Sequence, residues 1–351
     1  MTDITISKRG TGPLAVFPAG LRLTPQSFNV SSTEGVRRGR LRYPRGWSLE
    51  AAAPLAWFAR PNPREIALDE PASFTLELEY ADGRKVAWTR AFNVKLDLQT
   101  TFEPERHAFP ERNSARVVGE IGPRRDLFRR TYQFLPGPLG RLLYAGLYAD
   151  IVQLRPEGEH RGGLCSGMAR WAGLRALRGE TNPPGPEALD EIITLHGRQL
   201  KDRALLASLG WFLRASPSAA YRAIREDFLL TGQSLRALDI GVPKPWRRDI
   251  HRAVVREGHS IVPFRIRQES PRLAYIDCYD PNTAFEVHTI ELHLDTDRYC
   301  YRHKVSLDDG GVGMIAVPHT AYAEPGTAFL ATIGSLFWLL ISRLGGAASR
   351  A

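Results

Sequence analysis

The chain has 351 residues, with 47 basic against 38 acidic and a formal net charge of +9. Hydrophobic residues make up 43% and charged residues 24%, which is the mix of an ordinary globular chain and excludes a collagen-like or charge-dominated disordered one. Three cysteines, Cys165, Cys278 and Cys300, are an odd number without metal-type pairing, which argues against a disulfide framework and a zinc site.

The basic excess is almost all arginine, clustered at Arg37, Arg38, Arg40, Arg42 and Arg45, at Arg124, Arg125, Arg129 and Arg130, and at Arg247, Arg248 and Arg252. These clusters lack the interleaved aromatics of a single-strand platform, so they read as a compositional habit and nucleic acid is not the expected partner. The first ten residues lack the apolar run of a signal peptide, and the cysteine usage fits a reducing, cytoplasmic setting.

Residues 1–98 read as a β-rich module. Short apolar stretches at Leu14–Phe17, Leu21–Leu23, Ser27–Val30 and Leu55–Ala59 are cut by Pro and Gly. In Ala72–Tyr80, Phe74, Leu76, Leu78 and Tyr80 alternate with polar neighbours, as in a half-buried strand. Asp82-Gly83 supplies turn chemistry before a return strand over Lys85–Leu96. A small sandwich of immunoglobulin-like class is the expectation.

Residues 99–322 change character. A proline-bounded stretch with His107 is followed by an amphipathic segment over Leu127–Leu147, broken at Pro136-Gly137-Pro138. A helix is expected from Cys165 to near Gly179, with Cys165, Met168, Ala169, Ala172 and Ala176 as a small-sided buried stripe. Three helical segments follow in 187–257: Glu187–Leu213, one capped by Ser216 with Pro217 at its first position, and Pro245–Glu257. After Gly258 the period changes to strands, at His259–Arg267, Leu273–Tyr279, Ala284–Leu294, Tyr299–Lys304 and Gly313–Val317. Helices first and an antiparallel sheet later is α+β organisation. The histidines at 288, 293, 303 and 319 are expected on strand surfaces.

The tail, 323–351, reads as an apolar C-terminal helix. Residues 325–342 carry no charge, and 18 helical residues span about 27 Å, enough for a bilayer core. Membrane association through 325–342 and docking on protein or on a second subunit both fit this pattern.

The chemistry-bearing residues lie far apart in sequence. Cys165 opens a helix after a Gly-Gly pair, where unpaired amides and the positive end of the dipole favour a thiolate and can hold an oxyanion. His259 starts a strand and Asp280 ends the next one. In an antiparallel pair the start of one strand lies beside the end of its neighbour, so the two are expected at one sheet edge. A carboxylate or amide there orients the imidazole toward the thiol, with Asn282 as the competing orienter.

Gly163-Leu164-Cys165-Ser166-Gly167-Met168, Gly258-His259-Ser260-Ile261-Val262 and Tyr279-Asp280-Pro281-Asn282 together resemble the papain-like cysteine peptidase superfamily, most of all uncharacterised bacterial papain-like proteins. Phe102 to Asn113 also resembles the entry stretch of such proteins, and the likeness covers roughly 102–317. The resemblance implies a papain-like domain, a nucleophile helix packed on an antiparallel sheet, with Cys165 as nucleophile, His259 as base and Asp280 or Asn282 as orienter. It also implies a thiol hydrolase, a peptidase or amidase acting on peptide or protein without a cofactor. A transglutaminase-like acyl transferase and a catalytically inactive peptide-binding or scaffold protein share the pattern. One departure concerns the oxyanion glutamine of papain-like enzymes: residues 157–160 are Glu-Gly-Glu-His, and the nearest glutamine is Gln153.

Overall fold

The computed structural model describes residues 2–9, 26–30, 35–61, 66, 71–113, 125–132, 137–144, 148, 163–213, 215–243, 258–283, 285–301 and 312–333. The apolar stretches Leu14–Phe17 and Leu21–Leu23, the segment Pro245–Glu257, Gln153, residues 157–160, His303 and the tail beyond Ile333 lie outside them.

The fold is mixed α+β with largely antiparallel sheets. The first strands are β1 (Thr2–Arg9), β2 (Gln26–Asn29), β3 (Val36–Arg42), β4 (Trp47–Ala53), β5 (Ala56–Pro61), β6 (Ala72–Tyr80) and β7 (Lys85–Gln99). The helices are α1 (Pro104–His107), α2 (Arg125–Thr131), α3 (Gly137–Leu143), α4 (Cys165–Arg178), α5 (Ala188–Gly197), α6 (Asp202–Phe212) and α7 (Pro217–Thr231). The remaining strands are β8 (Arg236–Pro243), β9 (His259–Gln268), β10 (Leu273–Tyr279), β11 (Val287–His293), β12 (Arg298–Tyr301) and β13 (Val312–Pro318).

A ten-stranded sheet runs β12-β11-β10-β9-β7-β6-β3, with β1 on β7 and β13 on β8. A three-stranded sheet, β2-β5-β4, lies apart from it in pairing. Its Phe28 and Trp47 meet Phe74 of the large sheet at ring distances of 5.0 and 4.9 Å, so aromatic packing joins the two sheets. The β1–β7 pair is parallel, an exception to the antiparallel pattern.

Strand β7 crosses residue 98 without interruption. Its last four residues, Leu96–Gln99, pair with Arg265–Gln268 of β9, so one sheet carries both the N-terminal strands and the later ones. Arg265 binds Asp97 at this junction through two bonds of 2.8 and 2.7 Å. The pair is partly exposed and contributes at most about 1 kcal/mol. The opposite end of the same β9 edge is taken by β8, where Leu238 pairs with Ile261 and Ile240 with His259.

Helix α4 is buried on every side from Ser166 to Arg175, beyond the single expected stripe. Ala169 and Ala172 pack on Val262, Phe264 and Tyr279 of the sheet. Met168, Trp171 and Leu174 pack among Ile192, Ile193 and Leu195 of α5. The small residues let the helix lie close to the sheet, and Gly179 ends it at φ 70, which glycine adopts without steric cost.

The expected Glu187–Leu213 helix is divided. Arg198–Leu200 forms a 3-10 turn and Lys201 is extended, so α5 and α6 are separate. The break has a partner: Arg198 donates to the carbonyls of Tyr322 and Ala323, and Lys201 to that of Glu324. Ser216 caps α7 as expected, its Oγ accepting from the Ala219 amide at 3.1 Å. Strand β8 was not anticipated by the helical reading of 187–257, although Leu238, Ile240 and Val242 alternate. His319, expected on a strand surface, is fully buried in a 3-10 turn after β13, with its ring against Gly173 of α4. A side chain at position 173 would occupy that space.

Residues 329–333 are helical, with Phe329, Leu330 and Ile333 exposed and Ala328 and Ala331 buried. Among the described residues no helix is long and apolar enough to cross a membrane.

Candidate active site

Cys165 is the first residue of α4, where the helix amides have no carbonyl partner of their own. His259 is the first residue of β9, and Asp280 directly follows β10. The antiparallel register, Tyr279 opposite Val262, sets Asp280 beside the start of β9. The structure brings all four residues singled out by sequence into one cluster.

His259 is the centre of it. Its Nε2 lies 2.7 Å from Asp280 Oδ1. Its side chain also lies beside Cys165, close enough that each group acts on the ionisation of the other. With Nε2 committed to the carboxylate, Nδ1 is the nitrogen left for the sulfur. Asn282 Nδ2 is 3.4 Å from the same Nε2, a weaker contact than that of Asp280. The Asn282 backbone amide instead donates to Asp280 Oδ1 at 2.8 Å and helps to hold the carboxylate.

Asp280 is 2% exposed, so both of its oxygens need donors. Tyr301 Oη supplies the second, at 2.5 Å from Oδ2. Burial alone pushes the Asp280 carboxyl up. The bond and charge of His259, then the Tyr301 hydroxyl and the Asn282 amide, more than offset this and hold it well below the usual carboxylate range. Burial likewise disfavours the His259 imidazolium. Its bonds to Asp280 and Cys165 outweigh burial and raise it well above an ordinary imidazole. For Cys165, burial pushes the thiol up, while the His259 bond and charge and the Ser260 amide bring it below an ordinary thiol. Each group favours the charged form of its neighbour, and the cluster is set up for a thiolate–imidazolium pair.

A second contact set fixes the residues just before Cys165. Asn113 Oδ1 accepts from the Leu164 amide at 2.8 Å, and Asn113 Nδ2 donates to Asn282 Oδ1 at 2.9 Å. The Asn113 backbone amide donates to the Pro281 carbonyl at 2.8 Å. One asparagine therefore ties the approach to Cys165 to the turn that carries Asp280. A Cβ at Gly163 would collide with the Asn113 side chain, which explains a glycine two residues before the cysteine.

Asn113 and Tyr301 went unassigned in the sequence. Asn113 sits in a loop without periodicity, and Tyr301 alternates with Tyr299 on a short strand as any inward-facing aromatic does. The oxyanion question at Gln153 and residues 157–160 falls outside the described residues. Cys278 is buried in β10, its thiol donating to the His288 carbonyl at 3.2 Å, and Cys300 is half-buried. His107 is buried, with Nδ1 2.9 Å from the Glu103 amide and its ring stacked on Phe102. Compared with family models, curated proteins and solved structures, the chain matches none of them.

Proposed function

We propose that the protein is a thiol hydrolase of papain-like type, a peptidase or amidase that uses Cys165 as nucleophile, His259 as acid and base, and Asp280 as orienter. The observation that carries this reading is the hydrogen-bonded chain from His259 through Asp280 to Tyr301, with the imidazole beside Cys165 at the start of α4. A structural cysteine needs no such partners, and a buried aspartate and histidine placed together only for stability would not need to face a thiol at a helix start.

In this reading the Cys165 thiolate adds to an amide carbonyl and the carbonyl oxygen takes the negative charge, facing amides of the first turn of α4. The His259 imidazolium gives its proton to the departing amine, which leaves a thioester on Cys165. Neutral His259 then takes a proton from water as the water adds to the thioester, and the acid leaves with the thiolate–imidazolium pair restored. Asp280 holds the ring and stabilises its cation throughout. An amine in place of water gives acyl transfer by the same groups. Asn282 supports Asp280 through its backbone amide and links it to Asn113.

The test is hydrolysis of a fluorogenic peptide-amide library, run with and without a primary amine acceptor, by the full chain and by Cys165→Ala, His259→Ala and the double variant. Groups that act as a unit lose activity together, so the double variant should be no worse than either single one. Activity that survives His259→Ala would contradict the reading.

A further inference from the structure

A second charged pair lies beneath the cluster. Arg170, five residues after Cys165 on α4, is fully buried, and its Nη2 is 2.9 Å from both carboxylate oxygens of Asp239 on β8. Asp239 is the cross-strand partner of Ser260, whose Oγ donates to Asp239 Oδ1 at 2.5 Å. Ser260 directly follows His259, and its backbone amide acts on Cys165 to favour the thiolate. The contacts thus run from Arg170, on the helix that Cys165 opens, across to Asp239 and on to Ser260, next to His259.

We propose that Arg170, Asp239 and Ser260 are positioning residues that hold the start of β9 against the start of α4 and, through the balance of the Arg170 and Asp239 charges, tune the thiolate of Cys165. This rests on the thiol-hydrolase reading and deepens it.

Three observations support it. A buried ion pair is a poor way to gain stability over apolar packing, so its location carries the information. Through Ser260 it links α4 to the start of β9, the two segments whose alignment sets the imidazole beside the sulfur. The Asp239 carboxylate also acts on the thiol directly, its negative charge opposing the thiolate, and Arg170 lies opposite that charge.

Other ionisable groups face the same region. His259 and Asp280 approach from the sheet, with Tyr301 behind Asp280 and Tyr279 next to it in sequence. His196 of α5 packs at Gly167. From the turn after β13, His319 lies against Gly173, and the Tyr322 ring centroid is 4.7 Å from the Arg170 guanidinium carbon. Burial and the neighbouring Arg170 charge keep His319 neutral, which leaves Asp239 as the carboxylate that compensates Arg170.

The experiment measures the rate of Cys165 alkylation by iodoacetamide against pH in the full chain, with peptide mapping to separate the three cysteines. Arg170→Met leaves the Asp239 charge uncompensated and should move the profile to higher pH, lowering the rate at pH 6 about tenfold. Asp239→Asn removes the anion, keeps the cation and should move the profile to lower pH. Joining both changes should return the profile close to that of the parent chain. A purely structural pair would not shift the two single variants in opposite directions, so shifts of the same sign, or none, overturn the proposal. If Arg170→Met does not fold, Asp239→Asn decides alone, and an unchanged or upward profile overturns the proposal. His259→Ala separates this from the underlying reading. If it leaves the Cys165 profile unmoved, the thiol-hydrolase reading itself fails. If it moves the profile and the Arg170 and Asp239 variants do not, only the positioning role fails.

Discussion

Tyr301 donates a 2.5 Å hydrogen bond to the Asp280 oxygen opposite the one that faces His259. The hydroxyl and the imidazole hold one buried carboxylate from two sides, and its orientation depends on both.

Tyr301→Phe should therefore weaken the orienter without touching the nucleophile. A bond to a charged group contributes about 1.5–3 kcal/mol, and part of it is recovered when the carboxylate relaxes toward His259. Hydrolysis should fall about tenfold in kcat with little change in KM, and the acid limb of the pH profile should move upward as the Asp280 carboxyl loses a donor. An unchanged pH profile would remove Tyr301 from the site.

Asn113→Ala should loosen both sides of the site at once. The buried amide of Leu164 loses its acceptor, at a cost of about 1–3 kcal/mol in stability. Displacement of the loop before Cys165 should lower kcat/KM by about 10–100-fold, because small misplacements of reacting groups are costly. Gly163→Ala, which sets a Cβ against Asn113, should act in the same direction. Kinetics and thermal unfolding measured together check this, and full activity in either variant would contradict it.

The pair also predicts how stability depends on pH. Asp280 is depressed in the folded chain, so its contribution is present above about pH 4 and is lost as pH falls through the folded value. His259 is raised, so its contribution is full below about pH 6.5 and is lost as pH rises through the folded value. The difference in Tm between the parent chain and His259→Ala should be largest between these limits and shrink on both sides. A difference independent of pH would mean that the two groups are not ion-paired.

Residues 329–333 start the apolar tail with Phe329, Leu330 and Ile333 facing outward, while Asp202 holds its base through Thr327 and the Leu330 amide. If the tail is a membrane anchor, removal of residues 334–351 should shift the protein from membrane to soluble fractions. If it covers protein, the shortened chain should aggregate instead, because this face then loses its cover.

Much of the site was legible because its chemistry sits at element boundaries. A Gly-Gly pair before Cys165, Gly258 before His259 and Pro281 after Asp280 each mark where an element starts or ends. The antiparallel rule then sets the second and third residues together. The supporting residues left no such mark. Asn113 acts through a loop that no periodicity describes, Tyr301 looks like any inward strand aromatic, and Asp239 sits on a strand embedded between helical patterns. The fold was legible in the hairpin of β6 and β7, where alternation is strict. It was less so at Arg198–Lys201, where carbonyls more than a hundred residues away break the helix, and in β1, whose parallel pairing with β7 follows from no local pattern.

The most direct test needs no knowledge of the substrate. Brief iodoacetamide treatment at pH 6, followed by peptide mapping, compares Cys165 with Cys278 and Cys300 in the parent chain and in His259→Ala. The thiolate–imidazolium pair predicts that Cys165 is alkylated first in the parent chain and at least about tenfold more slowly in His259→Ala. Labelling of Cys165 no faster than that of Cys300, and unchanged by loss of the imidazole, would contradict it.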